Sequence, residues 1–182
     1  LIHYAPVAGI RGLWIGPYIN DNFYSASNLA FATTAMSLAM IAGTFAYGPM
    51  DRIFSTRKWI IFIGSSVSLV SLISLALFNE ISFNVAVFLF CTLGFFGMSY
   101  PLMIAHGRSF SPENLTGRCV TLLNMFAIGG VGIFQFLTGR IFSKLTEVHN
   151  NNHEAYTIIF LFYASALFLG LILYLKSKDR LD

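Results

Sequence analysis

Apolar and polar residues fall along this chain in blocks and do not alternate. Six apolar blocks, Leu1–Ile19, Leu29–Met50, Trp59–Phe78, Ile81–Ala105, Cys119–Gly139 and Ala155–Leu175, are separated by short polar segments. A helix of roughly 20 apolar residues, rising about 1.5 Å per residue, spans the hydrocarbon core of a bilayer. Membrane-spanning strands would be shorter and would alternate. Lipid offers the backbone no hydrogen-bond partners, so helices that satisfy their own backbone remain. The pattern predicts an all-α polytopic membrane protein. Six transmembrane helices form one bundle, and residues 1–182 are a single unit. The block Ala155–Leu175 is the cleanest, with no charge before Lys176. The first is the most irregular: Arg11 sits near its middle, among Gly9, Gly12, Gly16 and Pro17.

Composition agrees with a bilayer. Hydrophobic residues make up 56% and charged residues 10% of the chain, against about 25% charged in soluble domains. Mean hydropathy is +0.70. The 19 phenylalanines suit lipid-facing and helix-packing surfaces. A net charge of +3, scattered along the chain, argues against nucleic acid as a partner. Cys91 and Cys119 both fall in apolar blocks without a His or Cys at metal-ligand spacing, so neither a disulfide framework nor a metal site is expected. The chain opens at Leu1, already apolar, without the charged segment and cleavage site of a signal peptide. That start reads as a piece of something longer.

The basic residues set an orientation. Arg52, Arg57, Lys58, Arg108, Arg118, Lys176, Lys178 and Arg180 fall on one side of the predicted membrane, against Arg140 and Lys144 on the other. The positive-inside rule makes the richer side cytoplasmic. Both termini then face the cytoplasm, and the linkers Asn20–Asn28, Asn79–Glu80 and Arg140–Glu154 face outward.

Three segments carry a family resemblance. Gly48-Pro49-Met50-Asp51-Arg52-Ile53-Phe54-Ser55-Thr56-Arg57-Lys58 is a short basic loop between the second and third blocks. Ser111-Pro112-Glu113-Asn114-Leu115-Thr116-Gly117-Arg118 precedes the fifth, and Arg11-Gly12-Leu13-Trp14-Ile15-Gly16-Pro17-Tyr18, with Asp21 beyond, lies in the first. The chain resembles the C-terminal six-helix half of a major facilitator superfamily carrier. The first loop departs from the family pattern: Tyr47 stands where the family has glycine, and the basic pair comes about two residues late. The resemblance implies a gating loop of Asp51, Arg52, Arg57 and Lys58, whose carboxylate caps a helix of the opposite bundle. Positive-inside bias alone would also produce such a loop. The resemblance further implies the bacterial inner (plasma) membrane, a missing N-terminal bundle as partner, and no cofactor.

Polar groups inside the blocks are the candidates for substrate contact. A charge at bilayer depth costs about 2.5–3.5 kcal/mol on insertion scales, so it faces a cavity or a partner. Arg11 is the main one. Tyr4, Arg11 and Tyr18 are spaced by seven, with Trp14 three residues after Arg11, which on a regular helix gives one face. A guanidinium among aromatics suits a carboxylate or phosphate; snorkelling, or an acid in the other half, are the alternatives. Asn124 and Gln135, eleven apart in the fifth block, share a line with Thr121 and Gly132, either as cavity lining or as interhelical glue. Gly129, Gly130 and Gly132 suggest close helix approach, and Thr33, Ser37 and Thr44 suggest hydroxyls bonded to their own helix. His149 and His153 have the spacing of a metal pair on a helix, but Asn150-Asn151-Asn152 between them reads as a turn, and no metal is expected. No phosphate-binding glycine loop or nucleophile–base dyad is present, which disfavours an ATP-driven pump or hydrolase. The expected function is secondary transport of a small anionic solute by alternating access. The rivals are an intramembrane enzyme, for which only His106 lies near a block, and a non-transporting scaffold, which leaves Arg11 unexplained.

Overall fold

The computed structural model describes residues 2–78, 81–149 and 152–181, and the secondary structure among them is helical. The first apolar block forms one interrupted rod: α1 (Ala5–Gly9), a π-helical turn (Ile10–Trp14) and α2 (Ile15–Phe23). Pro6 stands in the opening turn of α1, where its missing N–H costs nothing. Tyr24 adopts left-handed backbone (φ 34°) and ends α2. The rods that follow are α3 (Ala26–Phe54), α4 (Lys58–Leu77), α5 (Phe83–Gly97) with α6 (Tyr100–Arg108), α7 (Thr116–His149) and α8 (Asn152–Leu175).

Several boundaries differ from those read in the sequence. The expected linker Asn20–Asn28 shrinks to Tyr24 and Ser25, because the polar residues on either side continue the helices. The expected single span Ile81–Ala105 is broken at Met98 and Ser99. Pro101 explains the break: it cannot donate to the Gly97 carbonyl four residues back, and its ring would clash there. The Met98 N–H turns to Phe95 O at 3.3 Å. The fifth span runs on to His149, so most of the expected outer linker Arg140–Glu154 is helix, while Asn79–Glu80 and Asn150–Asn151 lie outside the described residues.

Of the six expected spans, five are matched by helices of spanning length and the remaining one is not confirmed. Among the described residues, five helices are long and apolar enough to cross a membrane: Ala26–Phe54, Lys58–Leu77, Phe83–Arg108, Glu113–Glu147 and Asn152–Leu175. The first rod is not among them, being interrupted by its π turn and carrying Arg11, Asn20, Asp21 and Asn22.

The bundle packs α3 on α5, α4 against α5 and α8, and α7 against α8. The first rod threads between α3 and α7. Close crossing of α3 and α5 depends on Gly43 and Gly94. A Cβ on Gly43 would run into the Phe95 backbone carbonyl, and one on Gly94 would lie 3.1 Å from Met36 O. Around Tyr18 the core is aromatic: Tyr156, Phe160 and Phe90 meet it edge to face at ring-centroid distances of 5.3, 5.4 and 5.5 Å. Phe31, Phe45, Val70, Phe88, Ile128, Phe136 and Leu173 lie exposed on the outside. In water such a surface would be a liability; in lipid it costs nothing.

Candidate substrate face and tail-end loop

Arg11 sits in the π turn, partly buried, on the rod that α3 and α7 flank. Its Nε–H donates to Ser37 Oγ on α3 at 2.8 Å. Ser37 donates its own proton to Thr33 O at 2.7 Å, so its lone pairs are free to receive the guanidinium. Among the described residues no carboxylate pairs with Arg11, and its two terminal NH2 groups have no hydrogen-bond partner. On the α7 side, Gln135 Nε2 lies 3.0 Å from where a Cβ on Gly12 would sit. Gly12 thus lets an amide pass over the rod beside the arginine.

Asn124 and Tyr4 come together through Tyr100, a residue the sequence pattern did not single out. Tyr4 stacks on Tyr100 at 4.5 Å between centroids, and the Tyr100 hydroxyl donates to Asn124 Oδ1. Tyr100 is the first residue of α6, so the helix break at Ser99 aims it across to α7. Thr121 bonds its own helix at Gly117 O, as Thr33 and Thr44 bond Leu29 O and Met40 O.

Trp14 and Tyr18 do not share the face of Arg11. Trp14 is 4% exposed and donates its indole N–H to Thr138 Oγ1 at 3.0 Å, while Tyr18 is 6% exposed inside the aromatic core. The π turn is the reason. It adds residues to a turn, so a spacing of seven across it no longer returns to the same face. Two of the three glycines singled out in α7 also differ from expectation, while Gly130 is buried. A Cβ on Gly129 or Gly132 would meet nothing within 4 Å, so within this bundle they mark an open surface, not a close crossing.

The loop between α3 and α4 is built around charge. Arg57 Nε donates to Asp51 Oδ2 at 3.0 Å, with both residues largely buried. Arg52 is exposed. Lys58 Nζ donates to the Leu175 carbonyl at 2.7 Å. No motif pointed to what completes this end, the chain's own tail. Asp179 Oδ1 accepts the backbone N–H groups of Arg57 (3.2 Å) and Lys58 (3.0 Å), and Oδ2 accepts the Thr56 hydroxyl. A carboxylate at the N-terminus of α4 satisfies orphan donors and complements the helix dipole. Burial works to raise the Asp179 carboxyl, but the Thr56 hydroxyl, the two backbone N–H groups and the nearby His106 outweigh it, so it stays below its ordinary range. Arg180 reaches Ser109 O at 3.4 Å and covers the Phe110 ring. We call this the tail end of the bundle. At the opposite end Asp21 accepts Asn152 Nδ2 (2.8 Å) and the Tyr156 hydroxyl (2.7 Å), tying α2 to α8.

Of the two histidines at metal-pair spacing, the side chain of His149 lies outside the described residues. No group of three His, Cys, Asp or Glu that could hold a metal occurs among those described. The family model described as Major Facilitator Superfamily matches residues 7–181. No curated protein matches the chain.

Proposed function

The chain belongs to the major facilitator superfamily, and from that premise we propose that it forms one half of a secondary active carrier for a small anionic solute. The observation that carries the reading is Arg11. It is a guanidinium in a π turn of a membrane-embedded bundle, steadied at Nε by Ser37, with both terminal NH2 groups unpartnered among the described residues. A fork of that shape grips a carboxylate or phosphate through two parallel hydrogen bonds. π turns within helices recur at functional sites.

In this proposal Arg11 anchors the anion, Gln135 and Asn124 line the face from α7, and Tyr4 and Tyr100 wall it. Trp14 and Tyr18 hold the rod in place from behind, through Thr138 and the aromatic core. A second six-helix bundle packs against the face that contains Arg11, and the two rock about the site in alternating access. Asp51, with Arg57 behind it, latches the closed state at the tail end, which lies on the cytoplasmic side of a bacterial inner membrane.

Arg11→Lys and Arg11→Gln test the anchor. Uptake of a panel of labelled carboxylates and phosphates should weaken at least tenfold with Lys, which keeps the charge and removes the fork, and should be lost with Gln. An acid in the second bundle is the competing partner for Arg11. In that case Arg11→Gln would impair folding, and removing the acid as well would restore it.

A further inference from the structure

His3 precedes Tyr4, its partner Ser99 precedes Tyr100, and the transport reading does not use His3. Its ring bridges two helical elements. Nδ1 is 2.8 Å from Ser65 Oγ on α4, and Nε2 is 2.8 Å from Ser99 Oγ at the break between α5 and α6. Both hydroxyls are buried, at 2% and 0% exposure.

Assigning the Ser65 hydroxyl proton to the Ile61 carbonyl sets the tautomer. Ser65 has one hydroxyl proton and donates it to Ile61 O at 2.7 Å. It therefore accepts from the ring, and Nδ1 carries the hydrogen. Nε2 is left as the lone pair, and Ser99 donates to it. The Ser99 hydroxyl has no other partner among the described residues, so it is free to turn round and accept. One turn along α4, Ser68 is 3% exposed and its hydroxyl has no partner, on a pocket that His3 and Ser65 also line. A cavity of about 200 Å³ adjoins the ring; Ile2, Ile61, Leu167 and Leu171 make its walls largely apolar, and His3, Ser65 and Tyr174 are its polar groups. It has room for several waters. Tyr174, near the tail end of α8, donates to His106 Nδ1 at 2.7 Å, and His106 Nε2–H donates to Lys178 O at 3.0 Å.

Around His3, α4 presents Ser65 and Ser68, the α5–α6 break presents Ser99, and α8 presents Tyr174; no carboxylate, lysine or arginine lines either cavity. A fully buried structural histidine would need neither a reversible hydroxyl at its lone pair nor a cavity beside it. We propose that His3 is a proton-binding site of the bundle, with Nε2 as the atom that takes up the proton and the cavity ending at Tyr174 as its connection to the tail end. On loading, a proton from water bonds to the Nε2 lone pair and the ring becomes imidazolium. Ser99 turns from donor to acceptor, and Nδ1–H keeps its bond to Ser65. On release the proton returns to water and Ser99 turns back. His3 stands in the turn that leads into the rod carrying Arg11. Resting on the transport reading, proton and anion would then load onto one stretch of chain, and His3 would name the coupling ion.

The test reads protonation directly. The whole protein, in lipid nanodiscs with histidines labelled at ring nitrogen, is titrated from about pH 8 to pH 3 by NMR. One of the four histidines should be the Nδ1–H tautomer at neutral pH, convert reversibly to imidazolium, and vanish in His3→Gln. If His3→Gln does not fold, Ser65→Ala and Ser99→Ala identify the same ring by displacing its resonance. A His3 ring that stays neutral throughout, in protein still folded by circular dichroism, overturns the site. A second arm uses proteoliposomes enclosing a pH dye and the carboxylate and phosphate panel. Solute entry should move protons in the parent protein, and His3→Gln should cut the proton signal at least tenfold while labelled-solute counterflow persists. Solute uptake with a silent His3 removes the site and leaves the carrier; a titrating His3 with no uptake removes the carrier and leaves the site.

Discussion

At the scale of single residues, Arg11 was legible because a lone charge inside an apolar block is expensive and stands out in any reading of hydropathy. Its neighbours were not. Trp14 and Tyr18 looked like part of the same face only under a regular helical period, and the π turn at Ile10–Trp14 ends that period locally. The contact of Ser37 with Arg11, and Tyr100 altogether, were missed for a different reason: each lies far along the chain and meets its partner only through the fold, at separations of 26 residues from Arg11 and 24 from Asn124. The different places of these aromatics give a sharp contrast. Trp14→Phe keeps the ring packing and deletes the indole N–H to Thr138, so stability should fall by about 1 kcal/mol with anion uptake nearly unchanged. Thermal unfolding and uptake measured on the same preparation check it. A large loss of uptake at unchanged stability would put Trp14 back on the substrate face.

At the scale of elements, most of the helices were readable from apolar block length, and the ends were not, because polar residues such as Asn20–Phe23 and Arg140–His149 extend helices beyond the apolar core. The glycines sort by what they meet. Gly43→Ala would press a methyl into the Phe95 backbone, which cannot swing aside, so about 1–3 kcal/mol of stability should be lost. Gly129→Ala meets nothing in this bundle and should leave its stability unchanged. A thermal melt of the two variants decides between them, and equal losses would mean the α3–α5 crossing is not the tight point. The tail supplies another element-level expectation. A carboxyl held below its ordinary range binds fewer protons folded than free, so its contribution is full at neutral pH and lost as pH falls through that lowered value. Asp179→Asn should therefore loosen the tail at neutral pH and flatten the acid-side dependence of its protection. Hydrogen exchange at Arg57 and Lys58 amides is the measurement, and unchanged protection would mean that Asp179 is not what caps α4.

At the scale of the whole molecule, the fold gathers charge that the sequence only spaced out. Contacts from Asp179 to the start of α4, from His106 to Lys178 and from Arg180 to Ser109 bring one end of α4, α6 and α8 together. Arg52, Arg57, Lys58, Arg108, Lys176, Lys178 and Arg180 therefore cluster at that end. Asp21, Asn152 and Tyr156 mark the other. His3 is level with Ser65, and the first rod runs from there to the Asp21 end. The positive-inside rule then predicts that the tail end is cytoplasmic, since basic flanks are retained on that side. Single cysteines placed after replacing Cys91 and Cys119 with serine, at Ser55 in the α3–α4 loop and at Ser27 beside the α2–α3 turn, test the orientation in intact cells. An impermeant thiol reagent added outside should label Ser27→Cys and spare Ser55→Cys until the membrane is opened. The reverse pattern would invert the bundle, put Asp51 and the tail on the outer side, and remove the cytoplasmic latch while leaving the Arg11 face unchanged.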